Sequence, residues 1–379
     1  MRVAGIAAYA PKNVFSNDDV ARMLQTAMAE AEERRMRLTG GGLTDDEKAQ
    51  FKTSDRWIQR FIGFKSRRFA SPGEGTIDLA ERASKNLIAG LNLDVAQIDG
   101  IVFGTVTPSY KNSPPDANLL QYRLKIPTQR NGRANCVFGL DSSLACCTWV
   151  ESLSFVYALI RSGLCRCVLL VGADAMSTTI NWKDRAFATV LGDAGTATLC
   201  VAVPDEQDWF GSKRFFSYMD GQHWEAILTP KGGSKNPISS GDDIIEQLDK
   251  LGMNGPLVKD LVLSTVGGQM MDDVLEQTGW GYADLDLVSF HEANLAQLVR
   301  PIVEVWRTKG FTGEVLDAGG EFANTTSASV PLALAKNGFK LQPVTSPPKK
   351  LALGAMGGSL TAAFAFCEIK HELPTFVDV

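Results

Sequence analysis

Gly139-Leu140-Asp141-Ser142-Ser143-Leu144-Ala145-Cys146-Cys147-Thr148-Trp149 is the stretch on which the reading of this chain turns. The run CVFGLD (136–141) reads as a buried strand, and a turn of small residues follows it. The next segment, LACCTWVESLSFVYALIRSG (144–163), is apolar nearly all round, the pattern of a helix buried on every side. That spacing puts a thiol, Cys146, at the first turn of a central helix. A helix N-terminus offers positive potential and free N–H groups, which favour a thiolate. The alternative is that Cys146 and Cys147 are small buried hydrophobes, the usual fate of cysteine.

Outward from this stretch, short apolar strands alternate with helices. RVAGIAAY (2–9) reads as a first strand, and Ser16 can cap a helix starting at Asn17-Asp18-Asp19. Residues 29–54 are polar, with Gly40-Gly41-Gly42 in the middle, and read as an inserted helical hairpin on the surface. Ile77, Leu79, Ala80, Ala83, Leu87 and Ile88 recur at helical spacing over 76–91. IDGIVFGTVT (98–107), CRCVLLVGAD (165–174) and AGTATLCVA (194–202) read as further strands, closing a first half near Pro204. The second half repeats the plan. A helix follows Pro256, DLDLVSF (284–290) is a strand ending at His291, and 294–309 and 325–337 read as helices. KLALGAMGGSLTAAFAFCEI (350–369) is two strands around a Gly-Gly turn. Strand–helix alternation in both halves implies an α/β protein with mixed, mostly buried sheets. It divides at 1–204 and 205–379.

The chain has 379 residues, and at roughly 100–200 residues per domain that suits two domains or one duplicated fold. With 45% hydrophobic and 21% charged residues, it is neither disordered nor a coiled coil. A formal charge of −5 gives no general pull toward nucleic acid or an anionic membrane. The apolar runs are too short to span a bilayer. The seven cysteines are odd in number and the opening residues read as a strand, so a cytoplasmic protein with reduced thiols is expected. Cys165-x-Cys167 is spaced too closely for zinc and has no second ligand pair, so no metal site is expected. Only His223, His291 and His371 could serve as a histidine base.

Three more segments carry chemistry. His291-Glu292-Ala293-Asn294 follows a buried strand directly, and the C-terminal edge of such strands is where open α/β sheets place sites. Phe322-Ala323-Asn324-Thr325-Thr326-Ser327-Ala328-Ser329-Val330-Pro331 opens a helix with small residues that permit close approach, or is a simple cap. Gly354-Ala355-Met356-Gly357-Gly358-Ser359 is a hairpin turn, or backbone that must approach a ligand.

In this order the four segments resemble the β-ketoacyl-[acyl carrier protein] synthase III family of the thiolase superfamily, over nearly the whole chain. The family's cysteine lies five residues after an aspartate, as Cys146 does after Asp141; HEAN is similar to its H-x-A-N, NTTSASVP to its N-T-S-x-x-S-x-P, and MGGSLT to its final glycine-rich turn. The resemblance implies a five-layered α-β-α-β-α thiolase-like duplicated fold, with two mixed sheets around buried central helices, and a homodimer. It implies Cys146, His291 and Asn324 as the catalytic set, and the backbone N–H groups of Cys146 and Gly358 as the oxyanion hole. The implied reaction loads an acyl group on Cys146 and condenses it with a malonyl-type thioester after decarboxylation, in specialised polyketide or fatty-acid-derived metabolism. No metal or redox cofactor is needed; acyl-CoA, and the phosphopantetheine of an acyl carrier protein, would be substrates. Trp57, Arg185 and Asn294 fall where relatives contact coenzyme A, with Trp57 and Arg185 sandwiching the adenine ring.

The chain also departs from its relatives. Thr148-Trp149 replaces the usual Gly-Phe after the nucleophile. Ala296 stands where relatives often carry a basic residue for carrier-protein docking, although Arg300 is one helical turn further on. The stretches 29–54 and 127–135 are long. Ser113-Pro114-Pro115 and Asp116 stand where head-to-head condensing relatives place a glutamate base. Two other readings remain beside condensation. One is acyl transfer from Cys146 to a hydroxyl or amine with His291 as base. The other is a non-catalytic partner subunit, although such chains usually lose the thiol or the histidine.

Overall fold

The strands that the sequence marks assemble into two sheets separated by helices. The computed structural model describes residues 1–130, 133–134, 137–211, 214–342, 347–358 and 360–379. Asn135 and Cys136, at the start of the predicted nucleophile strand, and Ser359 of the glycine-rich turn lie outside the described residues.

The first sheet has six strands in the order Thr375–Asp378, Arg2–Tyr9, Ala194–Val201, Cys167–Asp174, Gly100–Gly104 and Phe138–Ser142. Its sixth strand comes from the far end of the chain: Thr375–Asp378 runs parallel to Arg2–Tyr9, with Ile6 opposite Thr375. The second sheet has five, in the order Phe215–Met219, Thr361–Ile369, Lys349–Gly357, Leu287–Phe290 and Glu314–Val315. Both mix parallel and antiparallel pairs.

Two helices fill the space between the sheets. Thr148–Arg161 and Ser329–Lys336 each pack against strands of both sheets and against each other. Their apolar residues, including Trp149, Leu153, Val156, Val330 and Leu334, join one buried cluster with side chains from both sheets. Thr76–Gly90 covers the outer face of the first sheet, where Leu79, Ala83 and Leu87 are fully buried. Gly255–Ser264, Met271–Thr278 and Arg300–Thr308 cover the second, through Val262, Val274, Ile302 and Trp306. The result is helix–sheet–helix–sheet–helix, the layered α/β arrangement expected.

Ser16 caps Asn17–Thr39 as predicted: its side chain accepts from the Asp19 N–H, and Asp19 accepts in return from the Ser16 N–H. The helix continues to Thr39 and ends on Gly40, whose φ of +73° is a left-handed cap. Its second half and the short helix Asp45–Ala49 form the predicted surface hairpin, tied by Lys48–Glu32 at 2.6 Å and by Arg35–Glu47.

Three elements differ from expectation. The strand expected to be buried at 136–141 is Phe138–Ser142, and it is largely exposed because it is an edge with only Gly100–Gly104 beside it. The predicted helix 294–309 opens as a π-turn, Leu295–Val299, before Arg300–Thr308. Pro301 has no N–H to give to the preceding turn, so regular bonding is lost there. The central helix begins at Thr148 rather than Leu144.

Candidate active site

Cys146 sits just outside the central helix, in a tight turn after Phe138–Ser142. The Cys147 N–H donates to the Leu144 carbonyl at 3.1 Å, and Ala145 holds φ +48°. Positive φ in a residue with a Cβ is strained, by about 1–3 kcal/mol. Ala323 (+58°), Thr326 (+48°) and Leu360 (+53°) share that conformation, so strained backbone flanks three of the four motif segments. Asp141 anchors the nucleophile strand to the start of the preceding helix, Asp116–Arg123, by accepting from the Asp116 and Ala117 N–H groups at 2.7 and 2.8 Å.

The expectation of a thiolate favoured by the helix N-terminus is corrected. Cys146 lies two residues before the first helical residue, and helix-end potential falls off within a turn. Burial dominates and pushes the thiol well above its ordinary range; the charge of Asp174 adds to this, while a hydrogen bond from Asn324 opposes it. Cys147 is buried too and pushed up to about 12, with its Sγ 3.4 Å from the Thr361 carbonyl. Cys146 therefore rests as a thiol and must lose its proton as it reacts.

Asn324 is fixed on both sides. Its N–H donates to the Val190 carbonyl at 2.8 Å, and its carbonyl accepts from Gly192 at 3.0 Å. Its side-chain oxygen accepts from the Thr326 N–H at 2.8 Å, which turns the amide NH₂ toward Cys146 as a donor. This contact needs Gly192: a Cβ there would lie 2.1 Å from the Phe322 carbonyl oxygen.

His291 extends the strand Leu287–Phe290, its N–H donating to the Gly354 carbonyl at 2.9 Å. Its side chain is fully buried and neither ring nitrogen has a hydrogen-bond partner. Burial lowers it to about 3, so the ring is neutral near pH 7. A buried polar group without a partner is rare in a folded protein and marks a place where something else bonds. Glu292 points away into structure: it accepts from the Ala318 N–H at 2.5 Å, and burial raises it to about 8.

Cys146, Asn324, Gly357 and Gly358 line one mostly apolar cavity of about 600 Å³. Ala293 and Asn294, which follow His291, line it as well. The glycine-rich turn closes on the nucleophile: a Cβ on Gly357 would lie 3.1 Å from the Cys146 nitrogen. Trp57 stands in the cavity wall, and the Arg185 guanidinium lies 4.7 Å from its ring centroid. At that distance the two side chains stack on each other and leave no slot for a third ring, so Arg185 would have to swing aside to admit one. Arg185 also donates to the Lys52 carbonyl at 2.6 Å. Asn294 has both side-chain groups engaged, accepting from the Gln297 N–H and donating to the Phe61 carbonyl.

Asp116 is buried, accepts from the Ser109 N–H at 3.0 Å, and is not part of the cavity wall. Cys165 and Cys167 are buried, and among the described residues no three His, Cys, Asp or Glu side chains cluster. Nor, among those residues, is any helix long and apolar enough to cross a membrane.

Asp174 is a residue that sequence reasoning passed over. It ends the strand Cys167–Asp174 and is fully buried. It accepts from the Thr105 and Thr107 hydroxyls at 2.9 and 3.0 Å and from the Val106, Thr107 and Ser327 N–H groups at 2.7–3.1 Å, with the Ser327 hydroxyl close beside. It thereby ties the Asn324 loop to the first sheet. The only sequence signal was an aspartate at the end of an apolar strand, opposite Thr105-x-Thr107.

Comparison with known proteins places the chain among condensing enzymes. The family model for 3-oxoacyl-[acyl-carrier-protein] synthase III matches residues 140–217. A β-ketoacyl-[acyl-carrier-protein] synthase III of Thioalkalivibrio sulfidiphilus is 30% identical over 335 residues, 88% of each chain. One from Nitratidesulfovibrio vulgaris is 29% identical over 359 residues, 94% of this chain and 95% of its own. The crystal structure of the Pseudomonas aeruginosa 3-oxoacyl-(acyl carrier protein) synthase III superposes with a TM-score of 0.74 at 25% identity, covering 99% of this chain and 98% of that one. The fold and these relatives together define a thiolase-like condensing enzyme of the transferase class. The chain belongs to the β-ketoacyl-[acyl-carrier-protein] synthase III family.

Proposed function

We propose that this protein is a decarboxylative ketosynthase that loads an acyl group from an acyl thioester onto Cys146 and condenses it with a malonyl-type thioester. The observation that carries the reading is the convergence of the Cys146 thiol and the donor NH₂ of Asn324 on one apolar cavity, with the unpartnered imidazole of His291 beside two of its lining residues. Cys146 Sγ attacks the acyl carbonyl carbon, and the N–H groups of Cys146 and Gly358 receive the developing oxyanion. The C–S bond to the departing thiol breaks, and that thiolate takes up the proton that Cys146 gives away. The malonyl-type thioester then loses carbon dioxide. The negative charge grows on its carbonyl oxygen, where a neutral His291 and Asn324 donate hydrogen bonds. The carbanion attacks the acyl-cysteine and forms the new C–C bond. Sγ leaves as a thiolate and takes a proton from water, restoring the thiol.

A neutral imidazole suits this role, because it donates one hydrogen bond without placing a full charge beside the acyl group. Trp57 and Arg185 support coenzyme A as the carrier of at least one substrate. The insertions support a place in specialised polyketide or fatty-acid-derived metabolism, in the cytoplasm. The unpaired edge of Phe138–Ser142 supports a homodimer formed by pairing with its own copy.

Incubation with acyl-CoA and malonyl thioester tests the reading. An acyl adduct on Cys146 with carbon dioxide and a β-ketoacyl product is expected, and none of these with Cys146→Ala. An adduct that passes to hydroxyl or amine acceptors without carbon dioxide release would replace condensation with simple acyl transfer.

A further inference from the structure

The segment 221–254 lines part of the cavity and carries none of the four motifs. It leaves the second sheet after Phe215–Met219, makes a short strand Ile227–Leu228, runs out through the short helix Gly241–Ile245, and returns as Gly252–Met253. The two short strands pair antiparallel, Ile227 opposite Met253. Both side chains, and Leu251, line the cavity that holds Cys146. Ile227 lies hard against the glycine-rich turn: a Cβ on Gly358 would come within 2.9–3.3 Å of three of its side-chain carbons. Gly357, the neighbour of Gly358, abuts the Cys146 nitrogen. Ile227 is thus one residue removed from the nucleophile, across the turn proposed to hold the oxyanion.

This roof is tied down from two sides. Toward the body, the Leu251 N–H donates to the Thr179 carbonyl, Lys250 Nζ to the Thr178 carbonyl, and the Trp182 N–H to Gln247 Oε1. Toward the surface, Arg34 lies 3.5 Å from Asp242 and 3.7 Å from Glu246, and Lys183 holds the other oxygen of Glu246 at 2.6 Å. Arg34 stands on the far half of Asn17–Thr39, in the surface insertion. The inner face of that helix, Met23, Ala27, Met28 and Ala31, packs on the same buried cluster as Leu251 and Met253. A 23-residue helix reaches about 34 Å, enough to carry Arg34 from the body out over the roof.

We propose that the segment 221–254, braced by the helix Asn17–Thr39, is the specificity element of the acyl site, and that Ile227 and Met253 set the length of the acyl chain Cys146 can carry. This inference rests on the reading of Cys146 as the acyl-bearing nucleophile. An acyl chain fixed at Sγ runs along an apolar wall to which this hairpin contributes Ile227, Leu251 and Met253. Such a wall discriminates one methylene by roughly 10–200-fold. Truncating Ile227 removes three carbons beside Gly358, and truncating Met253 opens the paired position.

The test is competition among even-numbered saturated acyl-CoAs from two to fourteen carbons, read as adduct masses on Cys146 of the full chain. Ile227→Ala and Met253→Ala should each extend the longest chain loaded by two or more carbons. They should also raise loading of that chain, relative to the one the unmodified protein prefers, at least tenfold. Ile227→Trp should shorten the profile. Ile244→Ser, on the exposed outer side of the same segment, should leave it unchanged. Arg34→Glu, which sets like charges against Asp242 and Glu246, should broaden it. Circular dichroism establishes that each variant is folded, and the two truncations report independently if one is not. Adducts that form with the same length profile in both truncations overturn the inference while the nucleophile assignment stands. A profile unchanged in Arg34→Glu overturns the bracing role. No adduct at any length in the unmodified protein removes the nucleophile assignment and this inference with it.

Discussion

Replacing His291 with glutamine should make the protein markedly less sensitive to acid. The ring is fully buried with no hydrogen-bond partner, and burial holds it at about 3, against about 6.5 in the unfolded chain. Between these values the unfolded state binds a proton that the folded state refuses. The stability contributed by this group is therefore fully present above pH 6.5 and is lost as pH falls toward 3. From pH 7.0 to 4.5 the two-value titration gives a loss of about 2–3 kcal/mol, and of about 4 kcal/mol by pH 3, at 1.36 kcal/mol per pH unit. Glutamine is uncharged throughout and cannot contribute this slope. The carboxylates titrate equally in both proteins, so the difference between them isolates the imidazole. Urea unfolding of both at pH 7.0 and 4.5, followed by far-ultraviolet circular dichroism and tryptophan fluorescence, measures it. The unmodified protein should lose about 2–3 kcal/mol more than His291→Gln. A difference below about 0.5 kcal/mol would refute the reasoning, because the ring would then titrate folded much as it does unfolded. The same enclosure predicts that condensation, if limited by His291 alone, shows no fall in rate near pH 6.5.

Three further outcomes follow from the geometry. Asp174→Asn puts an NH₂ among donors that all point at a carboxylate; a stability loss of at least about 1–3 kcal/mol is expected from urea midpoints, with slower acyl loading on Cys146 as the Asn324 loop loosens. Gly192→Ala drives a methyl onto the Phe322 carbonyl; it should cost at least about 1–3 kcal/mol and lower acyl loading tenfold or more, whereas Gly233→Ala, with open space around it, should change neither. Arg185→Ala should raise KM for acyl-CoA by roughly 2–30-fold, the range of an aromatic–cation contact, with kcat within a factor of two.

The parts of the fold that could be read from sequence are those whose signals are local. Ser16 and Asp19 are three residues apart, so the start of Asn17–Thr39 was visible in four letters. The alternation of apolar runs marked most strands of both sheets, but not Phe215–Met219, which lies in a stretch read as a polar link, nor Glu314–Val315 or Thr375–Asp378. The four motif segments could be read because each carries its chemistry within a few residues of a strand end. What could not be read depends on neighbours distant in the chain. The thiol of Cys146 is raised by enclosure, and enclosure is a property of both sheets together. Ala145 interrupts the helical pattern with a left-handed residue that no apolar spacing reveals. Phe138–Ser142 has the composition of a core strand, and only the sheet order makes it an edge. Ile227 and Met253 lie on two-residue strands, too short for any periodicity, and meet across 26 positions.

The strand Thr375–Asp378 completes the first sheet beside Arg2–Tyr9. At a synthesis rate of about 5–20 residues per second, one side of Arg2–Tyr9 waits roughly 20–70 s for its neighbour to be made. Throughout that time the nascent first half carries an open row of backbone donors and acceptors, the kind of template on which chains add to one another. Its other side can be filled much earlier, since Ala194–Val201 is made about midway. The vulnerable interval of this protein's life is therefore set at the ribosome, and holding chaperones that cover residues 2–9 until release should raise its yield more than any change within the finished core.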